Sequence, residues 1–140
     1  MEIVTAGSVW DPAEFGMERV ITNLGLLPYK RTGDLYRECD LGLVMMLTRH
    51  PSYLPLELMA CGCTVVTNYN RFTSWLLKDG ENCLLSNTSV SSIAEVISKA
   101  IDEPNLRKKI NDNAGQLILQ NHSSWDSQME KIYSYMQAEK

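Results

Sequence analysis

Short, nearly unbroken apolar runs alternate along this chain with longer stretches in which apolar residues recur every three or four positions. Ile3-Val4-Thr5-Ala6, closed by Gly7, predicts a first strand, and Val20 to Gly25 a second, with Pro28 in the turn behind it. Leu41 to Leu47 is a third run, apolar at almost every position; Thr64 to Thr67 is a fourth and Cys83 to Leu85 a fifth, entered from turns at Gly62 and Gly80. Continuous rather than alternating apolarity is the signature of parallel strands covered by helices on both faces.

Helical patterns fill the intervals. Asp34 to Cys39 is a short helix with Leu35 on its inner side. Pro55 to Cys61 carries proline where a first turn tolerates it and Gly62 where a left-handed cap is wanted. Ser92 and Glu95 have capping-box spacing ahead of the stripe Ile93, Val96, Ile97, Ala100, Ile101. After Pro104 the stripe resumes at Leu106, Ile110, Ala114, Leu117 and Ile118. Trp125, Met129, Ile132, Tyr133 and Met136 mark a C-terminal helix with Ser123 or Ser124 as its cap. Strands alternating with helices predict an α/β fold: a Rossmann-like parallel sheet flanked by helices, in one domain spanning residues 1–140.

Composition narrows the function. With 140 residues, 44% hydrophobic and 21% charged, the chain has the balance of an ordinary globular domain. A net charge of −4 argues against a nucleic-acid partner, which needs a basic footprint. No apolar run approaches a membrane span and the first residues carry no secretory leader, so a cytoplasmic location is expected. Cys39, Cys61, Cys63 and Cys83 form no CxxC pair and only two histidines are present, so reduced thiols and no metal site are expected. Lys30-Arg31 and Arg107-Lys108-Lys109 read as solvated surface, and Met45-Met46 as core.

The chemistry concentrates after the third strand, in Thr48-Arg49-His50-Pro51-Ser52-Tyr53-Leu54-Pro55-Leu56-Glu57. Ligands of open parallel sheets sit beyond the carboxyl ends of strands. Polar and ring residues crowd a loop that opens a helix there, an arrangement suited to a phosphate or diphosphate, with Arg49 and His50 as cations and Ser52 and Tyr53 as hydroxyl donors. Glu57 is the lone charge between Arg49 and Arg71. A carboxylate in an apolar helix needs a partner: a ribose diol, or an internal ion pair or cap. Asn68, Tyr69 and Asn70, behind the fourth strand, read equally as ligand contacts or as a polar turn.

Several landmarks occur in a telling order: Leu24-Gly25, Asp34-Leu35-Tyr36, Cys39-Asp40, Leu56-Glu57-Leu58-Met59-Ala60-Cys61-Gly62, Thr64 to Thr67, and Lys78-Asp79-Gly80-Glu81-Asn82-Cys83-Leu84-Leu85. Asp102-Glu103-Pro104 with Leu106-Arg107, and a late Ser124-Trp125, complete the series. From Val20 to about Tyr133 the chain resembles the C-terminal, nucleotide-sugar-binding domain of GT-B glycosyltransferases of group 1 (family 4). That family carries two glutamates separated by seven residues; Glu57 matches the second, while Arg49 stands in place of the first, beside the donor sugar. His50-Pro51-Ser52-Tyr53 followed by Pro55-Leu56-Glu57 resembles a rhamnosyltransferase-like branch of surface-polysaccharide assembly.

The resemblance implies a retaining transfer of a sugar from a nucleotide-activated donor, with no cofactor and no bound metal. It assigns the donor diphosphate to N–H groups around Ser52, Tyr53 and Leu54 with Arg49 or His50, the ribose to Glu57, and the nucleobase to Gly7 and Ser8. It also implies a partner N-terminal acceptor domain, peripheral membrane association of the parent enzyme, and a chain truncated within the domain it represents, inactive in isolation. The competing expectation is a non-catalytic nucleotide-binding or assembly domain with the same fold. A flavodoxin-like or receiver-like domain ranks last, since Asp11, Asp34 and Asp40 do not group after strands.

Overall fold

The computed structural model describes residues 1–122 and 124–138, so Ser123, one of the two expected caps, lies outside the described residues. The chain forms two compact units, Met1–Leu35 and Tyr36–Lys140.

In the first unit, β1 (Ile3–Thr5) and β2 (Ile21–Asn23) pair in parallel with Ile3 opposite Ile21 and Thr5 opposite Asn23. Between them lies a 3-10 turn, Pro12–Phe15, that the apolar pattern does not predict. Asp11 caps it, its carboxylate accepting the Ala13 N–H at 2.9 Å, and Trp10 meets Phe15 edge to face at 5.7 Å. Asn23 ties the two strand ends together. Its Nδ2 donates to Trp10 O at 2.6 Å and Ser8 O at 3.1 Å, while its Oδ1 accepts from Thr5 Oγ1 and the Gly25 N–H.

The second unit holds β3 (Leu41–Val44), β4 (Thr64–Asn68) and β5 (Leu84–Ser86), all parallel in the order β3-β4-β5. Its helices are α2 (Leu54–Ala60), α3 (Val90–Asp102), α4 (Pro104–Asn121) and α5 (Trp125–Ala138); α1 (Tyr29–Glu38) spans the boundary between the units. The α/β class is as expected, but the five strands form two sheets rather than one. Continuous burial belongs to β4, whose five residues are all buried. The third apolar run is a strand only as far as Val44. From Leu43 to Leu47 burial alternates, with Val44 and Met46 buried and Leu43, Met45 and Leu47 exposed, as in extended chain covered on one side. Met46 alone of the Met45-Met46 pair is therefore core.

Successive side chains of a strand point to opposite faces, so Val65 and Val66 enter different clusters. Val65 joins Leu58 and Met59 of α2 with Cys63, Leu76, Leu77 and Ala114. Val66 joins Leu84, Ala100 of α3 and Ile110 of α4. The stripe of α4 thus packs as expected. In α3, Ile101 is exposed, and the whole stripe of α5, from Trp125 to Met136, faces outward. The α3 cap is Ser89 rather than the expected Ser92. Ser89 Oγ accepts the Ser92 N–H at 3.3 Å, and Ser92 Oγ reaches back to accept the Asn87 N–H at 3.0 Å. Ser124 does cap α5, its Oγ accepting the Ser127 N–H at 3.3 Å.

All four cysteines are free. Burial pushes the Cys63 and Cys83 thiols up to about 12, which leaves them neutral and inert at ordinary pH.

The basic run at 107–109 needs a correction. Lys108 pairs with Asp112 at 2.7 Å on the surface, but Arg107 is partly buried and donates from Nη1 to Ala100 O at 2.7 Å and Ile101 O at 3.0 Å, the open carbonyls at the end of α3. Asp40 lies 3.8 Å from its other terminal nitrogen. A guanidinium at a helix C-terminus satisfies carbonyls that have no intrahelical donor. Arg107→Ala is therefore expected to cost about 1–2 kcal/mol in urea unfolding, and Arg107→Lys, with one donor centre instead of a fork, to recover only part of it.

Candidate functional site

The segment Met45 to Tyr53 links the carboxyl end of β3 to the start of α2, and Tyr69 to Phe72 leave the carboxyl end of β4. Because β3 and β4 are adjacent and parallel, the two segments emerge side by side. They are stitched together by two asparagines. Asn68 is buried, with its Oδ1 accepting the Met46 N–H at 2.7 Å and its Nδ2 donating to Met46 O at 3.0 Å and Tyr69 O at 3.1 Å. Asn70 donates from Nδ2 to Met46 O at 3.0 Å and Thr48 O at 2.8 Å, while its Oδ1 accepts the Phe72 N–H at 2.9 Å. Asn68 and Asn70 thus act as fasteners of loop backbone, the structural side of the alternatives left open for them, and Tyr69 is exposed.

A cavity of about 290 Å³ opens between these segments, lined by Met46 to Arg49 on one side and Asn68 to Phe72 on the other. The Arg49 guanidinium lies 5.6 Å from the centre of the Phe72 ring, within cation–π range. Of the sequence candidates, Arg49 lines this cavity; His50, Ser52, Tyr53, Leu54 and Glu57 continue the same segment but do not.

His50 is exposed, its Nδ1 3.1 Å from Pro51 O; with the proton on Nδ1, Nε2 is left as an acceptor. Ser52 Oγ accepts the Leu54 N–H at 3.2 Å, so one N–H of the expected anion cradle is already engaged, and Pro55 supplies none. The Ser52 hydroxyl keeps its own proton to donate. Tyr53 is the exposed N-cap of α2 and offers no side-chain cap; its carbonyl accepts the Glu57 N–H at 3.0 Å. Leu54 packs on the cluster that contains Met59, anchoring the helix start.

Glu57 sits half-buried in the first turn of α2. Among the described residues its carboxylate meets no hydrogen-bond donor and no cation, so the internal ion pair and the cap weighed above are absent there. Gly7 and Ser8 belong to the Met1–Leu35 unit, at the carboxyl end of β1. Gly7 has φ 103° and donates its N–H to Gly25 O at 2.8 Å, and Ser8 gives its carbonyl to Asn23. The landmark Lys78 to Leu85 is structural: buried Asn82 bonds Lys78 N–H and Leu76 O, and Asp79 accepts the Leu85 N–H at 2.8 Å.

The parallel sheets, the flanking helices and the polar segments at strand carboxyl ends define an α/β, Rossmann-like domain, and its fold is that of the C-terminal half of solved GT-B proteins. Among solved structures it is similar to sucrose-phosphate synthase from Thermosynechococcus elongatus, at TM-score 0.81 and 16% identity over 99% of this chain and 39% of that one. It is likewise similar to Anabaena Alr3699/HepE in complex with UDP-glucose, at TM-score 0.71 and 22% identity over 89% of this chain and 35% of that one. The C-terminal domain of the glycosyl transferase group 1 protein LpcC from Francisella tularensis matches at TM-score 0.63 and 24% identity, over 79% of this chain and 58% of that one. A family model described as "WsaF, C-terminal domain" matches residues 1–98, and the chain belongs to that family. It is also 47% identical over 132 residues to the O-antigen biosynthesis protein RfbC of Myxococcus xanthus, covering 94% of this chain and 10% of RfbC. The chain therefore spans about a tenth of that relative's length. Among the described residues no helix is long and apolar enough to cross a membrane.

Proposed function

We propose that this chain is the donor-binding part of a retaining glycosyltransferase that takes its sugar from a nucleoside diphosphate and works in surface-polysaccharide synthesis. The observation that carries this reading is Glu57: a half-buried carboxylate beyond the carboxyl end of β3, without an internal partner among the described residues, in a fold shared with proteins solved in complex with UDP and UDP-glucose. A carboxylate so placed, open to solvent on one side, is available to accept both hydroxyls of a ribose diol. Arg49 and the Ser52 hydroxyl stand on the same segment as donors for the diphosphate, where preoriented positive charge stabilises the leaving group as the glycosidic bond breaks, whereas His50, with its Nδ1 proton turned to Pro51 O, is left to accept. The proposed reaction uses no metal, and a separate domain supplies the acceptor, so the isolated chain binds nucleotide without transferring sugar. The name of RfbC supports the polysaccharide setting.

Titrating uridine, guanosine and thymidine diphosphates into the 15N-labelled chain is expected to shift the amides of residues 49–57, with one base preferred. An unchanged spectrum with all three would refute the reading.

A further inference from the structure

We propose that Asn70, assisted by Asn68, is a positioning residue of the donor site: it holds the Met46–Thr48 backbone so that Arg49 is presented to the nucleotide's anionic groups. The inference rests on the donor-site reading above and adds to it a residue on a different strand end.

The hydrogen bonds set the case. Met46 to Arg49 has left β3 and is in no helix or strand, so its backbone groups need partners from elsewhere. Three of them are met by carboxamides from beyond β4: the Met46 N–H by Asn68, the Met46 carbonyl by Asn68 and Asn70 together, and the Thr48 carbonyl by Asn70 at 2.8 Å. The Thr48 carbonyl lies in the peptide bond that leads to Arg49, so Asn70 fixes the plane from which that side chain departs. Its other end accepts the Phe72 N–H at 2.9 Å, which places the ring against which the Arg49 guanidinium rests. One side chain thereby sets both the stem and the seat of Arg49.

The two asparagines differ in burial, and this separates positioning from folding. Asn68 is buried and bonds at the core edge, whereas Asn70 is half-exposed and its bond to Thr48 is at the surface. Loss of Asn70 should loosen the loop and leave the sheet intact. Preorganisation is where such a residue contributes to affinity, since an ordered cation loses less freedom on binding.

Asn70→Ala in the full chain is expected to weaken binding of the preferred nucleoside diphosphate about tenfold, to raise the mobility of residues 47–50 in 15N relaxation, and to shift Tm by no more than about 3 °C. Asn70→Asp keeps the acceptor for the Phe72 N–H but turns a carboxylate toward two carbonyls, so it should bind as weakly as the alanine variant. In a double-mutant cycle, Asn70→Ala should add little to the loss caused by Arg49→Ala, because both act through one guanidinium. Unchanged affinity in Asn70→Ala beside a wild-type chain that binds, full affinity in Asn70→Asp, or additive losses in the cycle would each overturn the positioning role alone. A wild-type chain that binds no nucleotide would overturn the donor-site reading itself.

Discussion

Leu58→Ala is expected to lower the unfolding free energy by about 3 kcal/mol, and Gly42→Ala by about 2 kcal/mol, yet the two together should cost less than Leu58→Ala alone. The reason is one contact between β3 and α2. A methyl group added at Gly42 would lie 2.6 Å from Leu58 Cδ1 and 2.9 Å from Cδ2, well inside van der Waals contact. Leu58 is only 5% exposed and packed in the cluster around Val65 and Met59, so its side chain has no room to retreat. Trimming Leu58 to alanine removes the atoms that collide and opens space for the new methyl group. Gly42→Ala should then recover part of the cavity cost, together with the usual strand advantage of alanine over glycine, about 0.5–1 kcal/mol. Urea titrations of the four chains at constant m-value measure this directly; additive losses would show that the backbone of β3, rather than Leu58, takes up the strain. The contact also matters for the site, because it sets the distance between the strand and the helix that carries Glu57.

Much of this arrangement is legible in the residue pattern. Apolar runs locate the five strands and three-to-four spacing locates α3, α4 and α5, because burial and hydrogen-bond geometry impose those periods. By contrast, α1 begins at Tyr29, five residues before the expected Asp34, in a polar stretch that carries no apolar stripe. What the pattern misses is side-chain bonding to backbone. Asn23 and Asn68 each close a strand and tie down the loop that leaves its parallel neighbour, Ser8 to Trp10 in one case and Met46 in the other. A strand-final asparagine followed by turn residues is a local signal, but its partner lies 13 to 22 residues away, in the loop after another strand. Only the pairing of the strands discloses it. Arg107 is missed for a similar reason: a run of three basic residues looks uniformly solvated, while the first of them sits within reach of the carbonyls that end α3. The α3 cap was displaced by one turn because Ser89 and Ser92 both fit a cap, and the apolar stripe does not say how far the helix extends toward its N-terminus. At the site, the loop's place at a strand carboxyl end follows from topology. Which of its groups are already engaged, such as the Leu54 N–H by Ser52, does not.

Glu57→Ala carries the other large effect, expected in binding rather than in folding. If the carboxylate accepts both hydroxyls of a ribose, its loss removes two hydrogen bonds to a charged group, a contribution of about 2 kcal/mol or roughly a thirtyfold rise in Kd for the preferred nucleoside diphosphate. Stability should respond differently. The carboxylate has no partner among the described residues, so alanine frees no buried cation and leaves no donor unmet. What is lost is a favourable charge in the first turn of α2, worth under about 1 kcal/mol, partly offset by relief of its desolvation. Glu57→Gln keeps the shape but weakens acceptance, and should fall between the wild type and alanine. A 2′,3′-dideoxynucleotide supplies the complementary change: it should bind the wild type as weakly as the intact nucleotide binds Glu57→Ala, and bind both chains alike. Calorimetric titration of the two ligands against the wild type and the alanine variant completes the cycle. Equal Kd values for the intact nucleotide would remove Glu57 from the site. A fall in Tm of many degrees would show instead that the carboxylate serves the fold.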